Sequence, residues 1–132
     1  MIKKFELSSI GYVENQFQEK ADFQELQKAD STIVIFPRYM EGLFKIEKND
    51  YLDVLFYFHK SEGYKLKQRT WYGDIRGVFA CRSPYRPNQI GLSSVKLLKR
   101  DGNRLLVKGL DAINETPVLD IKPHIGGVDA KK

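Results

Sequence analysis

The residues best suited to bind an ionic ligand lie in a polar, proline-containing segment in the second half of the chain. Arg82 and Arg86 carry planar guanidinium groups whose forked donors match a carboxylate or a phosphate. Pro84 and Pro87 fix their own φ and bias the preceding residues toward extended conformations, so Arg86 loses less backbone entropy on binding. Asn88 adds an amide that both donates and accepts hydrogen bonds. The segment is either a prearranged anion-binding loop or a hairpin tip with ordinary surface arginines.

Other side chains that could contact a ligand follow two predicted strands. His59 and Lys60 come at the end of the apolar run 51–59, where a lone histidine is more often an ordinary strand-end residue. Asp111 follows the apolar run 104–110. Its carboxylate could accept a hydrogen bond from a ribose or an amine, or it could belong to a strand-end turn.

A third group of candidates lies near the C-terminal end. Asp120 and Lys122 alternate within residues 116–125, so they share one strand face. They could pair with each other, or they could orient Arg86 or a substrate. None of these side chains is a compelling general base, and the catalytic role is unassigned. The candidates for it are Asp111, Asp120, Lys122 and His124.

Strands must position these side chains. In residues 51–59 (YLDVLFYFH) alternate positions share a face, and apolar residues on both faces place this strand in the middle of a sheet. Val78, Phe79 and Ala80 predict a buried strand that leads into the polar segment. The other predicted strands are residues 5–14, 31–37, 90–98 and 104–110, with a turn at 101–103 between the last two.

Helical signals are short. Asp22 could cap a helix with Glu25 at the capping-box spacing, or this segment could be an ordered loop. Residues 40–46 predict a helical turn that packs Leu43, Phe44 and Ile46 inward. Many short strands, with turns between them and little helix, indicate an all-β barrel or sandwich.

Composition limits the class of protein. The length of 132 residues predicts one domain covering residues 1–132, and a hydrophobic content of 42% is sufficient for one core. No signal-peptide pattern follows Met1, and no apolar run is long enough to span a membrane. The single cysteine, Cys81, excludes an internal disulfide and fits the reducing cytoplasm. With one Cys and two His, a zinc site of these residues alone is not expected. Gly126, Gly127 and the last two lysines predict a frayed end.

The net charge of +5 is unevenly distributed. From Lys60 to Arg104 there are 11 Lys or Arg and 3 Asp or Glu, a surplus of +8, so the remainder carries −3. Such a basic band suits a polyanion such as RNA, or it serves solubility. Within it, residues 61–76 interleave aromatics and cations, which either contact nucleic acid or substrate or fold back as a lid. The candidates for that contact are Lys65, Lys67, Arg69 and Trp71.

The run GVFACRSPYRPNQIGLS, from Gly77 to Ser93, resembles the signature of the TsaA-like, or TrmO-type, family. The resemblance implies a small β-barrel with short helical turns. It also implies an S-adenosylmethionine-dependent methyltransferase that acts on N6 of threonylcarbamoyl-adenosine, next to the anticodon of tRNA. A homodimer with the cofactor site near the subunit interface is implied as well.

The resemblance also assigns residues. The positions that match the family's cofactor contacts are His59, Lys60, Arg82, Leu92, Lys108, Gly109, Leu110 and Asp111. For contact with substrate or tRNA the residues themselves make Arg86 and Asn88 candidates, together with Lys65, Lys67, Arg69 and Trp71. No metal is implied.

The chain departs from the family pattern at several positions. Residues 118–124 read VLDIKPH and resemble a second signature, in which His124 replaces a tyrosine. Asn114 and Glu115 replace an Asp-Gly pair, Gln89 replaces a proline, and Cys81 replaces a threonine. Many bacterial relatives carry a C-terminal domain that we do not expect after Lys132.

Three functions are therefore open. The first is the tRNA methyltransferase. The second is a methyltransferase of the same fold with a small-molecule substrate. The third is a module that binds S-adenosylmethionine or RNA without catalysis.

Overall fold

The computed structural model describes residues 1–19 and 22–126, and most of the regular structure is β. The strands are β1 Gly11–Glu14, β2 Asp30–Ile35, β3 Tyr51–Tyr57, β4 Lys67–Arg69, β5 Ile75–Gly77, β6 Ile90–Asp101, β7 Arg104–Lys108 and β8 Pro117–Pro123. Six of them close into an antiparallel barrel in the order β1-β2-β7-β6-β3-β8, while β4 and β5 form a separate two-stranded sheet. The all-β barrel prediction is confirmed.

Strand β3 is central, as its two apolar faces predict. It pairs with β6 on one side and β8 on the other. Leu52, Val54 and Phe56 point into the barrel and are at most 1% exposed, and they join the core formed by the inward residues of the other strands. The core thus fixes the direction in which the ends of β3 present their side chains.

The β6–β7 hairpin follows its predicted turn. Gly102 has φ 62°, which a glycine adopts without steric strain. Strand β6 continues to Asp101, beyond the predicted end at residue 98. The opening strand is shorter than predicted because Phe5 and Leu7 lie outside the barrel, where their side chains are exposed.

Of the two alternatives at Asp22, a capped helix and an ordered loop, the structure has the helix. Helix α1 spans Phe23–Lys28, and Asp22 Oδ1 accepts a hydrogen bond from the Gln24 N–H at 2.9 Å. The predicted turn near residue 43 is a pair of 3₁₀ helices, Pro37–Leu43 and Ile46–Lys48.

The inward packing predicted for that turn is partly wrong. Leu43 is buried and Ile46 packs against the core, but Phe44 is 77% exposed. Lys45 has φ 67°, and this left-handed residue reverses the chain between the two 3₁₀ helices. Its neighbour Phe44 is therefore directed away from the core.

The buried strand predicted at residues 78–80 is also wrong. These residues form a 3₁₀ helix in which Val78 is buried and Phe79 is 80% exposed. The preceding strand, β5, pairs with β4 outside the barrel and has no core to cover it. Gly127 and the final lysines, predicted to fray, lie outside the described residues.

No helix in the described part of the chain is long and apolar enough to cross a membrane. Within residues 1–19 and 22–126, no group of three His, Cys, Asp or Glu side chains is arranged to hold a metal ion.

Candidate functional site

Three of the predicted cofactor residues meet on the outside of the barrel. Arg82 Nη1 donates a hydrogen bond to the Leu92 carbonyl at 3.2 Å. The positive charge of Arg82 also acts on the carboxyl of Asp111. The Asp111 N–H donates to Ser93 Oγ at 3.1 Å. We call Arg82, Leu92, Ser93 and Asp111 the Arg82–Asp111 cluster.

The carboxyl of Asp111 has an unusual acidity. Burial raises its pKa from the ordinary value of 3.8 to about 6, and the nearby Arg82 charge opposes this increase. Asp111 is therefore anionic above about pH 6, and a cationic ligand beside it would be favoured electrostatically.

Gly109 places Asp111 at the end of β7. Its φ is 89°, and its N–H donates to the Ala29 carbonyl at 3.3 Å, next to α1. Leu110 follows with its side chain fully buried, so a ligand contact at this position would use backbone atoms. Lys108 is exposed and lies between Lys96 and the acidic Asp30 in the sheet register.

His59 and Lys60 follow β3, as predicted. In the described part of the chain, neither ring nitrogen of His59 makes a well-formed hydrogen bond, although both atoms are buried. Burial and the Lys60 charge lower the pKa of His59, against smaller opposing effects of Glu115 and the Tyr57 backbone. The ring is therefore neutral at pH 7, with donor and acceptor capacity that the protein does not use.

Gln89 joins the end of β3 to the polar segment, and sequence reasoning did not assign it a role. Its carbonyl accepts from the Phe58 N–H at 2.9 Å, and its Oε1 accepts from the Tyr57 hydroxyl at 3.0 Å. Its Nε2 donates to the Ser61 carbonyl. Gln89 has φ 39°, a conformation closed to the proline that the family pattern carries here.

The polar segment is braced by Arg86. The guanidinium Nη1 donates to the carbonyls of Cys81 and Ser83 at 3.1 and 3.0 Å. Gln68 Nε2, on β4, donates to the Tyr85 carbonyl at 2.6 Å. The hydrogen bonds of Arg86 therefore stabilise its own loop. The side chain of Asn88, by contrast, is exposed to solvent.

Asp120, Lys122 and His124 form a different set of contacts. Lys122 Nζ lies 3.2 Å from Asp120 Oδ2, the pairing that their shared face allows. His124 Nδ1 lies 2.9 Å from Asp53 Oδ1, which also accepts from Ser94 Oγ at 2.7 Å. Of the two alternatives for Asp120, the structure has the pair with Lys122, while Arg86 Nη1 donates to Cys81 and Ser83.

The β4–β5 hairpin presents the predicted basic and aromatic side chains to solvent. Lys65, Lys67 and Arg69 are exposed, and Trp71 is 94% exposed at the tip. The Trp71 ring packs edge-on against Tyr72, with ring centroids 5.2 Å apart. An exposed indole among cations is a typical stacking surface for a nucleic-acid base.

A separate groove of about 1310 Å³ opens beside the 3₁₀ helices and β8. Asp120 and Lys122 line it, whereas the residues of the Arg82–Asp111 cluster do not. Two of the candidate catalytic residues therefore border this groove, which the predicted cofactor residues do not line.

Comparison with known proteins gives consistent results. The sequence profile described as "tRNA-methyltransferase O N-terminal domain" matches residues 12–130. An "S-adenosyl-L-methionine-binding protein" of Archaeoglobus fulgidus is 39% identical over 93% of this chain and 91% of its own length. A "tRNA (adenine(37)-N6)-methyltransferase" of Rattus norvegicus is 42% identical over 73% of this chain and 23% of its own length.

A solved structure shows the same fold. The crystal structure of TrmO from Pseudomonas aeruginosa superposes with a TM-score of 0.77 and 33% identity. The match covers 96% of this chain and 58% of that protein. The chain thus spans somewhat more than half of the solved relative.

Proposed function

The chain belongs to the tRNA-methyltransferase O N-terminal domain family, and from this we propose that it binds S-adenosylmethionine and methylates tRNA. The acceptor that we propose is N6 of threonylcarbamoyl-adenosine beside the anticodon. The observation that carries the proposal is the Arg82–Asp111 cluster, in which a guanidinium and a half-buried carboxylate from distant segments lie beside one strand end.

The residues present fit the proposed cofactor. S-adenosylmethionine, when bound, supplies an electrophilic methyl group on a positively charged sulfur, together with a carboxylate, an amine and an adenine. Arg82 is placed to pair with the carboxylate, and the Asp111 anion suits a cationic group. Leu92, which is partly exposed, offers an apolar surface, and the unused nitrogens of His59 can bind a polar group of the ligand.

Catalysis by this site rests chiefly on positioning. A methyl transfer forms one bond from N6 to the methyl carbon as the carbon–sulfur bond breaks, and the N6 proton is released. Holding the acceptor in line can supply much of the acceleration. Asp111 is the candidate nearest the proposed cofactor contacts that could accept the proton, because it is anionic above about pH 6. Asp120 and Lys122 line the separate groove, and His124 contacts Asp53, so these three residues would act on the RNA.

We propose that the tRNA lies across the β4–β5 hairpin and the polar segment. Lys65, Lys67 and Arg69 would contact phosphates, and Trp71 would stack on a base. Asn88 is exposed and can contact the substrate directly. Arg86 would contribute by holding the loop, because its Nη1 is bonded to two carbonyls.

The proposal includes a cytoplasmic homodimer of this domain. Leu66, Ile75 and Phe79 expose 60–80% of their surfaces on and beside the β4–β5 hairpin, and exposed apolar side chains favour an interface. A second copy would cover part of this apolar surface next to the polar segment. Light scattering should show a dimer for the native chain and a monomer for Phe79→Asp.

The deciding experiment is a methyl-transfer assay with purified protein and labelled S-adenosylmethionine. Label should enter tRNA that carries threonylcarbamoyl-adenosine, and the same tRNA without that group should stay unlabelled. Transfer to neither tRNA would overturn the proposed reaction. Cofactor binding without transfer would instead favour the non-catalytic module, in keeping with the archaeal relative that is named for binding alone.

A further inference from the structure

The groove beside β8 is not explained by cofactor binding. Its volume of about 1310 Å³ exceeds the ~300–1,000 Å³ of typical small-molecule pockets. Its walls come from the segment 37–46, from β8 and from Arg100 of β6. The groove is open, and its size suits a segment of a polymer.

Two aromatic residues at this groove are each accompanied by a cation. The Arg38 guanidinium carbon lies 4.9 Å from the centroid of the Tyr39 ring, and Lys45 Nζ lies 5.3 Å from that of Phe44. Phe44 is largely exposed although it follows the buried Leu43. An exposed ring beside a cation provides a stacking surface for a base together with a charge for its phosphate.

The charges of the groove favour an anion. Four of the six charged residues that line it are cations; the six are Arg38, Glu41, Lys45, Arg100, Asp120 and Lys122. Lys122 pairs with the exposed carboxylate of Asp120, with side chains 66% and 51% exposed. A surface pair of this kind adds little stability, so a phosphate can replace Asp120 as the partner of Lys122.

The groove also lies close to the proposed methyl donor. Leu55 of β3 pairs with Leu92 on one side and with Asp120 on the other. Directly paired residues share a sheet face, and neighbouring strands are about 4.8 Å apart, so Asp120 lies roughly 10 Å from Leu92. One short RNA segment could therefore reach both places.

We propose that this groove binds the unpaired RNA nucleotides that flank the acceptor adenosine, with bases on Phe44 and Tyr39 and phosphates at Lys45 and Lys122. The inference rests on the proposed function and names the part of the tRNA that this second surface holds.

The test measures RNA binding and methyl transfer separately. The variants are Phe44→Ala and Lys45→Glu in the groove, with Phe23→Ala and Lys28→Glu on α1 as controls matched in residue type and exposure. Binding of a short single-stranded oligoribonucleotide and of the anticodon stem-loop is followed by fluorescence anisotropy. Each groove variant should weaken binding by about fivefold or more, while cofactor affinity and the α1 controls stay at the native level.

The outcomes separate the two proposals. If the native chain methylates tRNA and the groove variants bind RNA as well as the native chain does, the groove is not an RNA site although the function stands. If the native chain binds RNA through the groove but transfers no methyl group, the groove proposal stands and the reaction fails. If the native chain binds no RNA, both are overturned. A photo-cross-link from 4-thiouridine RNA to the peptide that contains Phe44 would support the groove directly.

Discussion

The Arg82–Asp111 cluster is the proposed cofactor site, and the β4–β5 hairpin is the proposed tRNA surface. The two regions differ in how firmly the fold holds their side chains. Leu92 and Ser93 of the cluster lie on the barrel strand β6, and Ser93, whose hydroxyl accepts from the Asp111 N–H, is 6% exposed. The hairpin has two three-residue strands, and most of its side chains are exposed. A small charged ligand benefits from fixed partners, whereas a polyanion is attracted by charges that need no fixed geometry. The two regions should therefore respond separately to substitution.

The largest effect is expected for Arg82→Ala. Loss of a charged hydrogen-bond donor should weaken cofactor binding by about 10- to 100-fold, because the carboxylate of the ligand loses its partner. Isothermal titration measures the dissociation constant, and tRNA affinity should be unchanged. Arg104→Ala is the matched control, since Arg104 pairs with Glu14 elsewhere on the barrel surface. Native affinity in Arg82→Ala would remove Arg82 from the site.

Charge reversal in the hairpin should give the converse result. Replacing Lys65, Lys67 and Arg69 with Glu should lower tRNA affinity by about tenfold at low salt and reduce its dependence on salt. Cofactor affinity should stay constant. Reversal of Lys3, Lys4 and Lys28 changes the net charge equally and serves as the control. Equal losses in the two triple variants would mean that net charge, and not the hairpin, attracts the RNA.

Arg86→Ala sharpens the comparison because Arg86 braces the polar segment, which connects the hairpin to the Arg82–Asp111 cluster. The Cys81 and Ser83 carbonyls would lose their donor, which should lower the free energy of unfolding by about 1–2 kcal/mol. Differential scanning calorimetry should show a Tm lower by roughly 3–8 °C. Arg86→Lys should recover part of the loss. If Arg86→Ala keeps the native Tm but loses tRNA affinity, Arg86 is a direct substrate contact.

The smallest effect is expected from pH. As pH falls through about 6, Asp111 becomes protonated, and affinity for the cationic cofactor should decrease several-fold. Asp111→Asn should bind equally weakly at both ends of this range. An equal pH dependence in both proteins would exclude Asp111 as the cause.

The same carboxyl also affects stability. Its folded pKa of about 6 lies above the ordinary 3.8, so between these values the folded state holds more protons than the unfolded state. Its contribution therefore makes the free energy of unfolding decrease as pH rises from about 4 to about 6, and it stays unfavourable above that range. Asp111→Asn should remove this slope, as chemical denaturation at several pH values can show.

Local patterns predicted much of the barrel. Alternation identified β3, and the Asp22 cap and the turn at Gly102 follow from side-chain and backbone chemistry within a few residues. The burial of Phe79 was predicted wrongly, because an apolar run in the sequence does not indicate which other surface will cover it. The exposure of Phe79 depends on the position of the β4–β5 hairpin, which tertiary contacts determine.

The sequence predicted which residues belong to the candidate site better than it predicted which residues contact one another there. Arg82 and Asp111 were named, but the hydroxyl of Ser93 that supports the Asp111 N–H lies 18 residues away in sequence. One signal was available, since Ser93 is a polar residue at an inward position of β6. Gln89 gave no such signal, because its partner Ser61 is 28 residues distant and its φ is positive.

The closed barrel leaves its strands fully paired, whereas the β4–β5 sheet has two open edges and no third strand. Isolated two-stranded sheets are marginal in water, so this appendage should open far more often than the barrel that carries it. One hydrogen bond that joins it to the rest of the chain runs from Gln68 Nε2 to the Tyr85 carbonyl. Amide hydrogens of β4 and β5 should therefore exchange with deuterium long before those of β3, and bound RNA should slow that exchange.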